Sequence, residues 1–123
     1  MTLKVDEIQN TSGGPVTLTD QYASKSWVAW NGTGTATITG SFNYSTLTDN
    51  GTGTYTLTLT NSMSNANYAL TTDQHAATGG SLENYNRTNG GAKTSSVWSR
   101  GTGYTATLAD LSDVMGVTHG DLA

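Results

Sequence analysis

Gly53-Thr54-Tyr55-Thr56-Leu57-Thr58-Leu59-Thr60 is the stretch whose reading decides the fold. Tyr55, Leu57 and Leu59 fall on alternate positions and threonine fills the rest, the period of a strand with one buried and one wet face. Threonine is β-branched and suits the polar side of a pleated surface. Thr35-Ala36-Thr37-Ile38-Thr39 and Tyr104-Thr105-Ala106-Thr107-Leu108 repeat the pattern. Further strands are predicted over residues 3–8, 16–19, 26–30, 68–72, 93–98 and 113–118. Helical periodicity is weak, with room for one turn between 108 and 114.

Glycine marks the joints. Asn31-Gly32-Thr33-Gly34 and Asn50-Gly51-Thr52-Gly53 place Asn-Gly between strand-like runs, a strong hairpin signal. Gly101-Thr102-Gly103 is a related turn, and Asp49 is placed to cap its own hairpin through the backbone. Short strands with turn signals every ~8–12 residues predict an all-β protein, an antiparallel β-sandwich of jelly-roll-like kind. Its inward faces carry Tyr55, Leu57, Leu59, Ile38 and Phe42. Residues 1–19 read as an extended N-terminal segment for assembly or attachment, and residues 20–123 as the sandwich.

The core available to this sandwich is thin. Hydrophobic residues are 34% of 123, while threonine and serine together number 36. Small cores usually gain help from disulfides, a metal or oligomerisation. With no cysteine there are no disulfides, and His75 and His119 stand apart with no zinc-like cluster, so no cofactor or metal is expected. Oligomerisation remains. Trp27-Val28-Ala29-Trp30 points the same way, because an unbroken strand there turns Trp27 and Trp30 to opposite faces, and a strand apolar on both is normally covered on both. A bulge that brings both indoles inward is the alternative reading.

Five lysines and arginines against nine acids leave no electrostatic footprint for nucleic acid. No apolar run approaches the ~18 residues of a membrane span, and residues 1–6 lack a signal-peptide apolar region. Synthesis in a cytosol without membrane insertion is the expectation. No G-x-S-x-G elbow, phosphate loop or calcium loop is present, so no enzyme activity is expected. His119-Gly120-Asp121 sets one histidine beside one carboxylate, a set that binds an ion only if repeated about a symmetry axis. The stretch 73–92 reads as a long irregular loop, with Gly79-Gly80 and Gly90-Gly91 flanking Asn84, Tyr85, Asn86 and Arg87. Sugar recognition needs an aromatic face and planar polar groups. Tyr85 and Trp98 supply the first, and Asn84, Asn86 and Arg87 the second.

Two segments carry a resemblance. The opening from Leu3-Lys4-Val5-Asp6-Glu7-Ile8-Gln9-Asn10 to Leu18 resembles a segment of tailed-phage fibre proteins. Lys25-Ser26-Trp27-Val28-Ala29-Trp30-Asn31-Gly32-Thr33-Gly34 is similar to the K-x-W-V-x-[aromatic]-N-G-x-G of a family of phage virion structural, tail-fibre-type β-domains. Ser41-Phe42-Asn43, Leu47 to Gly53, Tyr55 to Leu59, Asn67-Tyr68 and Val117 to Asp121 continue the likeness. The resemblance implies a particle-surface protein with other virion proteins as partners, here as a free-standing chain. Three roles fit it: a tail-fibre or receptor-binding component meeting a host cell-surface glycan, a capsid decoration or head-fibre protein, and a lectin-like module. By analogy with fibres the working unit is a homotrimer, with Leu3, Val5, Ile8, Trp27 and Trp30 at the interface.

Overall fold

The alternating run forms the strand its period predicts. Tyr55, Leu57 and Leu59 are buried and the threonines between them half-buried. The computed structural model describes residues 11–12, 24–75, 93–104 and 107–123. The strands expected at 3–8 and 16–19, with Leu3, Val5 and Ile8, lie outside the described residues. Within them the elements are β1 (Ser24–Asn31), β2 (Thr37–Phe42), β3 (Tyr44–Asp49), β4 (Thr54–Leu59), β5 (Ala69–His75), β6 (Val97–Gly101), β7 (Gly103–Tyr104), β8 (Thr107–Leu108) and β9 (Asp113–His119). All pair antiparallel. They build a four-stranded sheet ordered β2-β1-β9-β5, a three-stranded sheet ordered β3-β4-β6 and a short β7-β8 ribbon. The two larger sheets form an all-β sandwich, with no helix among the described residues.

Between the sheets lies one main apolar cluster of Val28, Trp30, Tyr55, Leu57, Trp98, Leu111 and Val114. Trp30 meets Tyr55 and Trp98 edge-on, with ring centroids 6.0 and 6.2 Å apart. Such geometry sets the positive edge of one ring against the negative face of the next. A second cluster of Leu59, Met63 and Tyr68 closes one end.

The turns behave as their residues require. In the β3–β4 hairpin the Gly51 N–H donates to Asp49 Oδ1 at 2.9 Å, and Gly51 and Gly53 adopt φ of 116° and 63°. Those angles lie in the left-handed region open to glycine. Between β2 and β3 the chain leaves one sheet for the other at a single residue, Asn43, with φ 63°. Its amide Nδ2 donates to the Lys25 and Asn61 carbonyls at 3.1 Å each, and its Oδ1 accepts the Asn61 N–H at 2.7 Å. Asparagine tolerates this backbone better than most residues, and here its side chain ties both sheets to the corner.

Several expectations are corrected. Phe42 is 56% exposed, not inward. The β1–β2 register runs Ala29↔Gly40 and then Trp30↔Ile38, so Thr39 is an extra residue. That bulge reverses the alternation: Ile38 packs on the core with Trp30, while Gly40 and Phe42 share the outer face with Ala29 and Trp27. Trp30 is 1% exposed inside its own protomer and is no interface indole; Trp27, 45% exposed, is the outward one. The strand β3 escapes the period-two reading because its register shifts between Tyr44 and Thr46, leaving Tyr44 and Leu47 three apart. The run read as one strand from Tyr104 to Leu108 holds parts of two, β7 and β8, with Tyr104 paired to Thr107. The strand placed at 93–98 begins only at Val97, β5 runs on to His75 into the expected loop, and no helical turn occupies 107–114.

Trp30→Ala is expected to cost about 3–5 kcal/mol in urea unfolding of the dilute protein, whereas Trp27→Ala under the same dilution stays within about 1 kcal/mol. Asn43→Ala forfeits the corner's hydrogen bonds and adds left-handed strain, together about 2 kcal/mol. Asn43→Gly relieves the strain alone and falls between wild type and Asn43→Ala in the same assay.

Candidate functional site

Polar side chains cross the interior and set what chemistry it can support. The Trp98 Nε1–H from β6 donates to the Tyr44 hydroxyl of β3 at 2.8 Å. The Ser26 hydroxyl of β1 donates to the same oxygen at 3.1 Å and lies 2.5 Å from Thr118 Oγ1 of β9. This row links the two sheets. A second link joins the Arg100 guanidinium of β6 to Thr72 Oγ1 and, at 3.3 Å, to Gln74 Oε1, both on β5. Gln74 Nε2 in turn donates to the Gly103 carbonyl at 2.7 Å. At the third, the Tyr55 hydroxyl donates to Asp110 Oδ1 at 2.7 Å, with the Gly32 carbonyl oxygen 3.1 Å away. The Gly53 N–H donates to the same carboxylate oxygen at 2.7 Å, which anchors the β3–β4 turn.

Burial shifts the titrating members. It raises the Tyr44 hydroxyl, against the lowering effect of its hydrogen bonds from Ser26 and Trp98. It raises Tyr55 further, helped by the Asp110 charge, and pushes Tyr68 up to about 12. The Arg100 guanidinium is brought down to about 10 by burial, opposed by the Asp73 carboxylate. Tyr44, Tyr55 and Arg100 act as clamps through their hydrogen bonds, while Tyr68 packs in the second apolar cluster. Among the described residues no three His, Cys, Asp or Glu gather where a metal ion could sit, and no helix is long and apolar enough to cross a membrane.

Two surface features remain. One is a polar crevice of about 230 Å³ lined by Ser64, Asn65, Asn67, Tyr68, Gly120 and Asp121. It offers hydroxyl, amide and carboxylate groups to a hydroxyl-rich ligand. Its aromatic is not offered: Tyr68 is turned into the second apolar cluster, with Lys93 Nζ 4.4 Å from its ring centroid.

The other is the outer face of the four-stranded sheet. Alternation along each strand sends Lys25, Trp27 and Ala29 of β1 outward, with Asp113, Met115, Val117 and His119 of β9. Cross-strand pairing adds Phe42 and Gly40 from β2, and Ala69, Thr71, Asp73 and His75 from β5. Trp27, Phe42 and Met115 are the large hydrophobic side chains this body exposes among its described residues. The Trp27 indole leans across Gly40, where a Cβ would stand 3.2 Å from its Cη2, so the ring lies along the sheet.

Of the residues named for sugar recognition, Trp98 is fully buried and serves the core. Asn84, Tyr85, Asn86 and Arg87 lie outside the described residues. Sequence reasoning set Trp27 and Trp30 on opposite faces of one strand without telling which faced out, and it missed the outward companions of Trp27. Met115 and Val117 alternate in the D-V-M-G-V-T-H run, and that period was the available signal.

Raising the pH tests the tyrosine assignments. An acid whose folded pKa is raised contributes stability that is complete below its unfolded value of 10 and lost as the pH climbs through the folded value. Arg100 works in the opposite sense, because its depressed pKa makes the folded state relatively more favourable above about 10. Tyr44, Tyr55 and Tyr68 outnumber it, so stability is expected to fall above pH 10. Their tyrosinate absorbance is expected to appear together with loss of near-ultraviolet circular dichroism, in one cooperative step. Comparison of the chain with family models, with curated proteins and with solved structures finds no match.

Proposed function

We propose that this chain is a structural protein of a phage particle, displayed on its surface as a tail-fibre or receptor-binding component that acts in host attachment. The observation behind the reading is how the fibre-like motif falls on the fold. Lys25 to Gly34 spans β1 and its turn. In one strand it supplies a core indole, Trp30, and an outward indole, Trp27, and its Asn31 Oδ1 accepts the Thr33 N–H at 2.8 Å. A motif that builds the sandwich and dresses its outer sheet suits a display module held among neighbours in a larger assembly. The cysteine-free, threonine-rich sheets and their buried polar clamps suit a body that must stay folded outside the cell.

Contact with the host is assigned to the stretch 76–92, in which Asn84, Tyr85, Asn86 and Arg87 hold the sugar-binding chemistry. The site works without Trp98. Display in several copies raises the effect of weak single sites through effective concentration.

Gold-labelled antibody against the chain is expected to decorate tail fibres of particles made in infected cells. Label on the head shell would replace the reading with capsid decoration, and particles free of label would end it. Tyr85→Ala and Arg87→Ala are each expected to slow adsorption to host cells roughly tenfold, with the particle count unchanged.

A further inference from the structure

We infer that the outer face of the four-stranded sheet binds a second copy of this chain, in a two-fold pairing that sets the strands of the two sheets antiparallel. The inference stands apart from the viral reading and rests on the layout of the face.

Side chains on that face form rungs across the strands. One rung runs Phe42, Trp27, Val117, Thr71, and the next runs Gly40, Ala29, Met115, Asp73. The large side chains gather at the middle of the face: the Trp27 indole lies along the sheet over Gly40, next to Phe42, and Met115 stands beside Ala29 in the second rung. Charge is arranged along the same axis. Lys25 and His119 lie at one end of the face, since Ser24 pairs with His119. Asp113 and His75 lie at the other, since they pair with each other, and Asp73 stands one rung in, beside Met115.

A two-fold axis in the plane between two such faces, perpendicular to the strands, reverses the order of the rungs in the facing copy. The Phe42–Trp27 rung of one copy then lies on the Ala29–Met115 rung of the other, where the indole already covers Gly40, so the aromatic and apolar side chains of both copies meet about the axis. The Lys25 and His119 end lies over the Asp113 end of the facing copy, and the same contact is made twice. Two sheets packed in this way keep the spacing of an ordinary sandwich, about 10 Å. A parallel threefold bundle fits this face less well. It stacks like rungs on like rungs and gathers every copy's Asp73 and Asp113 at one end, in a chain whose net charge is already −4. The threefold unit expected from fibre analogy therefore gives way to a dimer.

Light scattering at micromolar concentration is expected to return twice the 12.8 kDa chain mass. A monomer or a trimer would overturn the inference. Trp27→Ser is expected to weaken self-association roughly a hundredfold with the unfolding midpoint of the diluted protein unchanged, and an unweakened dimer would overturn it. The charge pattern has its own test. Lys25→Glu and Asp113→Lys are each expected to weaken self-association roughly tenfold, and an equimolar mixture of the two variants to recover wild-type affinity as a heterodimer. Failure to recover on mixing would reject the antiparallel arrangement. Leu3→Asp combined with Val5→Asp and Ile8→Asp is expected to leave the dimer intact. A monomer there would assign the face to the N-terminal segment instead of a second copy.

Discussion

The structure depends on the contact that Trp98 makes across the sandwich. Its indole is fully buried and projects from β6 of one sheet onto β9 of the other, where Gly116 receives it. A Cβ at Gly116 would stand 2.9 Å from Cη2 of the ring, so any larger residue holds the sheets apart. With the ring seated there, its edge meets Trp30 and Tyr44 at centroid distances of 6.2 and 6.1 Å, and its N–H reaches the Tyr44 hydroxyl. The spacing of the sheets, the tilt of the aromatic cluster and the polar row through Ser26 and Thr118 all follow from that one placement.

A core so short of apolar side chains tolerates little error in its polar ones. Ser26, Gln74, Arg100, Thr102 and Thr118 are buried beside ten buried hydrophobic residues. Burying a hydroxyl or a guanidinium costs free energy unless its hydrogen bonds are made. Ser26 and Arg100 make theirs across the sandwich, to Tyr44, Thr72 and Gln74, and those bonds form only when the two sheets are paired in one register. Slipping β9 by one residue would bury Met115 and Val117 in place of Val114, Gly116 and Thr118, and the Ser26 partner and the Trp98 seat would be lost together. The Trp30 indole N–H and the Tyr68 hydroxyl, both buried with no hydrogen-bond partner among the described residues, each cost about 1–3 kcal/mol. The clamps are thus specifiers of arrangement more than sources of net stability.

How far the fold was legible follows from where the alternation holds. Along Tyr55 to Leu59 and Asp113 to His119 the period of two is unbroken, and strand and face are both readable. At Thr39 and near Ser45 a single extra residue reverses the alternation, and the reading fails there: Phe42 is assigned to the wrong face and β3 is not seen. Bulges of this kind leave no sure mark in a chain so rich in threonine, because any residue of the run fits the extra position. The Asn-Gly turns were readable from local chemistry, and Asp49 capping its own hairpin followed from the same rule. Asn43 was not, because a one-residue corner between two sheets is defined by Lys25 and Asn61, each 18 residues away. The candidate site divides the same way. Trp27 is visible as half of a doubly apolar strand, but the face it shares with Phe42 and Met115 exists only once four strands are aligned.

The apolar outer face has a different standing from the interior. Trp30, Val28 and Val114 are accounted for by the cavity they fill, and shrinking any of them opens a hole. Trp27, Phe42 and Met115 fill nothing within the protomer, and threonine would serve the sheet at each of their positions, as it does at Thr71 beside them. Free energy of folding therefore does not explain them. The chain has placed its largest exposed side chains close together on one sheet, with Lys25 at one end and Asp113 at the other. Exposed apolar surface of this kind is a liability to an isolated protein. It becomes an asset when a second apolar surface of complementary charge is at hand, and the face itself, turned end for end, is such a surface.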